Sequence, residues 1–300
     1  MTHWLIENFT QNKNAVAIVD STGEYRYQQL LEQIEAYISL LDKTINHATS
    51  IAIISDSSFH SIALFIACYL KKLIIVPIIV NNEQELKDKL SVSEVQFILS
   101  LEGAERENIT LKITPCEPVS EQNKLCQTLI EREHSGLILF SSGSTGKPKA
   151  MLHDLSMLLD SYKAKNVQKK PKAISILVFL MFDHIGGINT ILNILTMGAK
   201  AVIPEDRKTV SIAGIIEQQK VTVLPASPTF LNLMLLDNVS QHYDLSSLRM
   251  ITYGTETMPE SVLKRLKINF PKVKLLQTFG TSETGIAQVS SRSSTSLDIK

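Results

Sequence analysis

Short apolar runs alternate with amphipathic stretches along the whole chain. The run Ile-Ala-Ile-Ile at 51–54 predicts a buried strand, 58–70 a helix and 73–79 a second strand. The same beat recurs at 95–99, 136–140, 174–179, 201–203, 221–224, 250–253 and 273–279, with helical patterns between most of them, as at 210–219 and 259–270. Strands that are apolar throughout, rather than alternating, are buried on both faces, and the helices between them supply the cover. The expected fold class is therefore α/β, with mainly parallel sheets flanked by helices. No internal repeat or low-complexity segment interrupts the pattern, and the tail at 290–296 is polar.

Composition narrows the picture a little. Three hundred residues, 44% hydrophobic and 20% charged, can bury a large core and suggest about two domains. Thirty basic side chains face thirty acidic ones, so nothing points to nucleic acid or an anionic membrane as a partner. The cysteines, Cys68, Cys116 and Cys126, form no C-x-x-C pair and suggest neither a disulfide framework nor a zinc site. The N-terminus lacks a basic segment followed by an apolar core, and Lys71 and Lys72 break the most apolar stretch, 61–80. No secretory signal and no membrane span is expected, and the cytoplasm is the expected compartment. The basic segment at 162–172 reads as a solvated helix end and loop near a boundary, because no aromatic follows Tyr162 there.

The most informative segment is Ile138-Leu-Phe-Ser-Ser-Gly-Ser-Thr-Gly-Lys-Pro-Lys149. An apolar strand ends at Phe140; six small residues follow, Ser141, Ser142, Gly143, Ser144, Thr145 and Gly146, and then Lys147 and Lys149. Small residues let the backbone approach an anion, and their N–H groups and hydroxyls can bond phosphate oxygens. Lysine adds neutralising charge. A flexible Ser/Gly linker would not follow a buried strand so tightly. It is not a Walker loop, because Ser141 stands where that motif needs Gly and Pro148 where it needs Ser or Thr.

Two further segments follow in order. Tyr253-Gly-Thr-Glu-Thr-Met-Pro259 comes after a strand pattern, and Thr257-x-x-Glu260 reads as a helix capping box with Pro259 in the first turn. That reading leaves Gly254, Thr255 and Glu256 unexplained. Gln277-Thr-Phe-Gly-Thr-Ser-Glu-Thr-Gly285 then offers an aromatic face at Phe279, a tight turn at Gly280, hydroxyls at Thr281 and Ser282, and a hard oxygen ligand at Glu283. Upstream, Phe182-Asp-His-Ile-Gly-Gly187 follows the strand pattern at 174–179. Gly186 and Gly187 could leave room for a ligand or allow close helix packing. Leu231, Met234 and Leu235 read as core positions of a helix that follows Pro225.

The sequence resembles the adenylate-forming superfamily of acyl-CoA synthetases, peptide-synthetase adenylation domains and luciferases. Its signature loop, Ser/Thr-Ser-Gly-Ser/Thr-Thr-Gly-x-Pro-Lys, matches 141–149 at every position. Its aromatic-Gly-x-Thr-Glu pattern matches 279–283, with Phe for Tyr and Ser for Thr. Softer likenesses lie at 24–30 and at 70–77, the latter without the family's Gly.

The resemblance implies two stacked α/β subdomains, 45–165 and 1–44 plus 166–300. It implies that Ser141–Gly146 and Lys149 grip the ATP phosphates, with Thr145 as a main hydroxyl contact. Gly254, Thr255 and Glu256 would flank adenine, Phe279, Gly280 and Thr281 would complete that side, Ser282 would reach the α-phosphate and Glu283 would hold Mg2+. Thr145, Ser282 and Glu283 are the catalytic candidates. Phe182, Asp183, His184, Gly187 and Tyr253 are the acid-pocket candidates, with His184 gating the carboxylate site. Asp183 has two readings: amino-acid-activating members pair the substrate ammonium with an Asp after Phe, whereas elsewhere it would hold the neighbouring loop.

The implied reaction is ATP-dependent formation of acyl-AMP from a carboxylic acid, a fatty or aryl acid being favoured. The acceptor would be coenzyme A or the phosphopantetheine of an acyl carrier protein. The family's ribose-binding Arg-Thr-Gly-Asp segment and small C-terminal lid domain with its catalytic lysine do not follow Lys300. The expectation is a truncated N-terminal core, inactive alone. The alternatives are an amino-acid adenylation domain and a module that only binds nucleotide.

Overall fold

The computed structural model describes residues 3–45, 47, 49–80, 82–103, 109–117, 123–142, 148–166, 174–254, 256–281 and 285–290. The chain begins with α1 (Trp4–Gln11), the hairpin β1 (Val16–Asp20) and β2 (Gly23–Arg26), and α2 (Tyr27–Thr44). It continues through β3 (Ser50–Ile54), α3 (Phe59–Leu70), β4 (Ile74–Ile78), α4 (Glu83–Ser93), β5 (Phe97–Glu102), β6 (Thr110–Pro115), α5 (Lys124–Glu131), β7 (Gly136–Ser142) and β8 (Pro148–Asp154). Next come α6 (Leu155–Asn166), β9 (Ser175–Leu177), α7 (Ile185–Thr196), β10 (Lys200–Val202), α8 (Thr209–Gln219), β11 (Val223–Ala226), α9 (Pro228–Leu236) and α10 (Val239–His242). The last elements are β12 (Met250–Tyr253), α11 (Glu260–Asn269), β13 (Lys274–Thr281) and β14 (Gly285–Ser290).

Among the described residues the strands form two sheets. One runs β14-β13-β12-β11-β9-β10-β1-β2 and the other β6-β5-β3-β4-β7-β8. The interior pairs are parallel, as the continuous apolar runs predict. The edge strands β2, β6, β8 and β14 pair antiparallel. β6 escapes the apolar pattern because it is partly or fully exposed along its length.

The two sheets share one core. Eleven of the twelve residues of α3, Phe59 to Tyr69, are buried, as an all-round apolar helix requires. Its core cluster takes in Ile51 and Ile53 of β3 as well as Ile18 of β1, Ala201 of β10 and Ile188 of α7. Ser58 caps α3 by accepting from Ser61 N at 3.0 Å. The chain leaves α3 through Lys72, whose φ of 59° is the left-handed conformation usually given to Gly.

One local expectation fails. The capping box of Thr257 and Glu260 does not form: Pro259 is the N-cap residue, α11 begins at Glu260, and Val262 N and Leu263 N both bond Pro259 O at 3.0 Å. Proline biases the residue before it away from the helical region, so the helix does not extend back to Thr257.

In the six-stranded sheet β3 is flanked by β4 and β5, and in the eight-stranded sheet β9 is flanked by β10 and β11. Each is a point where the winding reverses, and crevices for ligands open beyond the carboxyl ends of such strands. The segments that leave β3 and β9 meet: Arg207 donates to Asp56 Oδ2 at 2.9 Å and to Phe179 O at 2.7 Å.

Candidate active site

Beyond β9 the chain turns through Phe179–Asp183 and enters α7 with His184 as its N-cap residue. Phe182 is buried in the core, its ring 5.6 Å edge-on from Phe65. Asp183 is only 8% exposed. Its Oδ2 lies 3.7 Å from Lys89 Nζ and accepts weakly from Ile79 N at 3.4 Å. Its Oδ1 has no hydrogen-bond partner among the described residues; His184 Nε2 stands 3.7 Å away. The imidazole of His184 is 56% exposed, so it is free to approach a ligand or Asp183.

Lys89, on α4, is itself buried. Its ammonium is 2.8 Å from Glu85 Oε1 one turn earlier and 5.5 Å from the centre of the Phe140 ring on β7. A buried carboxylate needs such compensation. The glycines beside it have unequal room. A Cβ on Gly187 would stand 2.0 Å from the Met181 carbonyl oxygen, so the space there is taken by backbone and the glycine allows close packing. A Cβ on Gly186 would meet only the tip of Leu180, at 2.8 Å.

The described nucleotide candidates lie at or near strand ends, some in each sheet. β7 and β8 pair with Ser141 opposite Lys149 and Ser142 opposite Pro148, so the small-residue loop begins and ends at neighbouring points with an exposed lysine at its mouth. Gly143, Ser144, Thr145 and Gly146 lie outside the described residues, as do Thr255, Ser282 and Glu283. Tyr253 ends β12 and is buried, and burial raises its phenol pKa. A Cβ on Gly254 would stand 2.7 Å from the Thr278 carbonyl oxygen, so only glycine fits beside β13 without a shift. Glu256 accepts from Thr229 Oγ1 and, at 3.2 Å, from Thr229 N in the first turn of α9. Phe279, Gly280 and Thr281 pair with Ala287, Ile286 and Gly285 in the β13–β14 hairpin.

Three side chains at this junction carry no signal in the sequence: Lys89, Asp56 and Arg207. Lys89 lies in the helix Glu-Gln-Glu-Leu-Lys-Asp-Lys-Leu-Ser-Val-Ser, whose charges have the look of a solvated face. No local motif marks any of the three; only long-range contact does.

Among the described residues no group of three His, Cys, Asp or Glu could hold a metal ion. No helix among the described residues is long and apolar enough to cross a membrane.

The fold defines a class: a two-sheet α/β protein whose interior strands are parallel and flanked by helices. A family model described as AMP-binding enzyme matches residues 5–298, and the chain belongs to that family. It is 24% identical over 302 residues to 4-coumarate–CoA ligase-like 9 of Arabidopsis thaliana, covering 92% of this chain and 54% of that protein. It is 32% identical over 152 residues to bacitracin synthase 3 of Bacillus licheniformis, covering 50% of this chain and 2% of that protein. The match thus spans about half, or much less, of these relatives. The N-terminal subdomain of Klebsiella oxytoca NpsA, solved with 3-hydroxyanthranilyl-AMSN, has the same fold, with a TM-score of 0.76 at 19% identity over 98% of this chain and 76% of that one.

Proposed function

We propose that this chain is the ATP-binding core of an enzyme that activates a carboxylic acid without a charged amino group, a fatty or aryl acid, as its acyl-AMP. The observation that carries the choice of acid is the pairing of Asp183 with Lys89 at 3.7 Å in a buried setting. A carboxylate that already has a lysine ammonium beside it gains less from a substrate ammonium than an unpaired one would. It suits the second reading of Asp183, as the residue that holds its own loop.

The remaining roles follow the family resemblance. Ser141–Gly146 and Lys149 hold the phosphates. Gly254, Thr255, Glu256 and Phe279 flank adenine, and Ser282 meets the α-phosphate. Glu283 holds magnesium, which when bound neutralises phosphate oxygens. His184 and Tyr253 border the acid. Catalysis is positioning and charge stabilisation, with no protein nucleophile. Residues 45–165 form one subdomain, and 1–44 plus 166–300 the other. Coenzyme A or a carrier-protein phosphopantetheine is the acceptor in a ligase-like second step.

The test is pyrophosphate release by the complete protein with ATP, magnesium and pairs of acids that differ only in an α-amino group. Preference for the desamino acid is expected. Preference for the amino acid would establish an amino-acid adenylation domain instead, and nucleotide binding with no release from any acid a binding module.

A further inference from the structure

We infer that Lys89 is a specificity-positioning residue: an internal cation that occupies the charge of Asp183 and so excludes ammonium-bearing acids. The inference rests on the reading of Asp183 as part of the acid pocket.

Four observations meet at this lysine. Lys89 is 7% exposed and Asp183 8%, so neither charge is satisfied by bulk water. Lys89 approaches Oδ2 of Asp183 from the side of α4 and leaves Oδ1 toward His184. The ammonium is fixed from three directions, by Glu85 at 2.8 Å, by Asp183 and by the Phe140 ring. Phe140 lies two residues before the end of β7, where the small-residue loop begins, so one lysine touches the approaches to both halves of the site. Nearby Ile79 N also points at Oδ2. The carboxylate is thus tied on the oxygen away from His184, and its remaining oxygen is left as an acceptor for the exposed imidazole.

A second cation brought by a substrate would face Lys89 across one carboxylate. Like charges brought together in a poorly solvated site disfavour each other, here with Asp183 and the partly exposed Glu85 as the two carboxylates that face them. Glu85 does not offset this fully, because it is 33% exposed and its charge is partly screened by water. Removing the lysine charge leaves Asp183 free to pair an ammonium, a charge-assisted contact expected to change discrimination by about ten- to a hundredfold.

The experiment measures kcat/KM for pyrophosphate release on matched amino and desamino acids. It compares the parent protein, Lys89→Met, Asp183→Asn and the double variant. In the parent the desamino acid is preferred. In Lys89→Met the amino-to-desamino ratio rises about tenfold or more, and in the double variant it falls back to the ratio of Asp183→Asn alone. A Lys89→Met protein that loses activity on both acids in equal proportion overturns the inference while the proposed function stands. A parent that prefers the amino acid overturns the proposed function as well. Should Lys89→Met alone fail to fold, Asp183→Asn against the double variant decides. An unchanged ratio supports action through Asp183, and a shifted one shows that Lys89 acts elsewhere.

Discussion

At the residue scale, the contrast between two adjacent glycines is the sharpest. Both begin α7, and alanine would ordinarily favour a helix by about 0.8–1 kcal/mol over glycine. At Gly186 the added methyl meets the end of a leucine side chain that can turn away, whereas at Gly187 it meets the Met181 backbone at 2.0 Å. Gly186→Ala is therefore expected to leave stability within about 1 kcal/mol of the parent, and Gly187→Ala to lower it by about 1–3 kcal/mol or more. Denaturant unfolding of the two variants gives the comparison, and equal effects would mean that the turn before α7 yields as easily as a side chain. Sequence alone leaves Gly187 open between pocket space and close packing. A glycine in sequence does not say which of its sides is occupied.

Elements are set partly by local chemistry and partly by neighbours. Ser227 caps α9 by accepting from Phe230 N at 3.1 Å, with Pro228 in the first turn, and both features are legible in the sequence. Glu256 adds a second acceptor at the same helix end from another loop. Ser227→Ala is expected to cost about 1 kcal/mol. Glu256→Ala should cost about 0.3–1 kcal/mol, because an exposed carboxylate at a helix N-terminus is screened by water. If Glu256 also flanks adenine, its variant weakens ATP binding in calorimetry by more than Ser227→Ala does. A stability loss with equal ATP affinity in the two variants would leave Glu256 a helix cap alone. Thr257 makes the converse point. Its spacing to Glu260 satisfies a capping box, yet Pro259 starts the helix too late for it.

Across the whole molecule, the buried helix α3 joins the two sheets through one apolar core, and polar ties reinforce the junction. Asp20 Oδ2 at the end of β1 accepts from Phe59 N at the start of α3 at 2.8 Å, and Arg207 links Asp56 to Phe179. Continuous burial of this kind predicts cooperative unfolding. Trp4 is the sole tryptophan and packs against this core from α1. Its fluorescence and the far-ultraviolet circular dichroism are expected to change at the same denaturant concentration. A Trp4 transition at clearly lower denaturant would mean that the two sheets unfold separately.

The order of apolar runs by itself determined the parallel interior of both sheets, because burial on both faces leaves a pattern that each strand carries alone. The small-residue loop at 141–146 and the segment at 279–283 stand out in the sequence for a related reason: the phosphate-binding role proposed for them would draw on consecutive residues, which a sequence displays side by side. The antiparallel edges and the N-terminal hairpin were not, since partly exposed strands carry a weaker signal. Lys89, Asp56 and Arg207 were decided by tertiary structure alone. Asp56 and Arg207 are 151 positions apart, and no periodicity within either segment encodes that the ends of β3 and β9 meet. Lys89 belongs to a helix whose charges suit solvent, and its burial beside Asp183 follows only from how that helix is laid against the turn before α7.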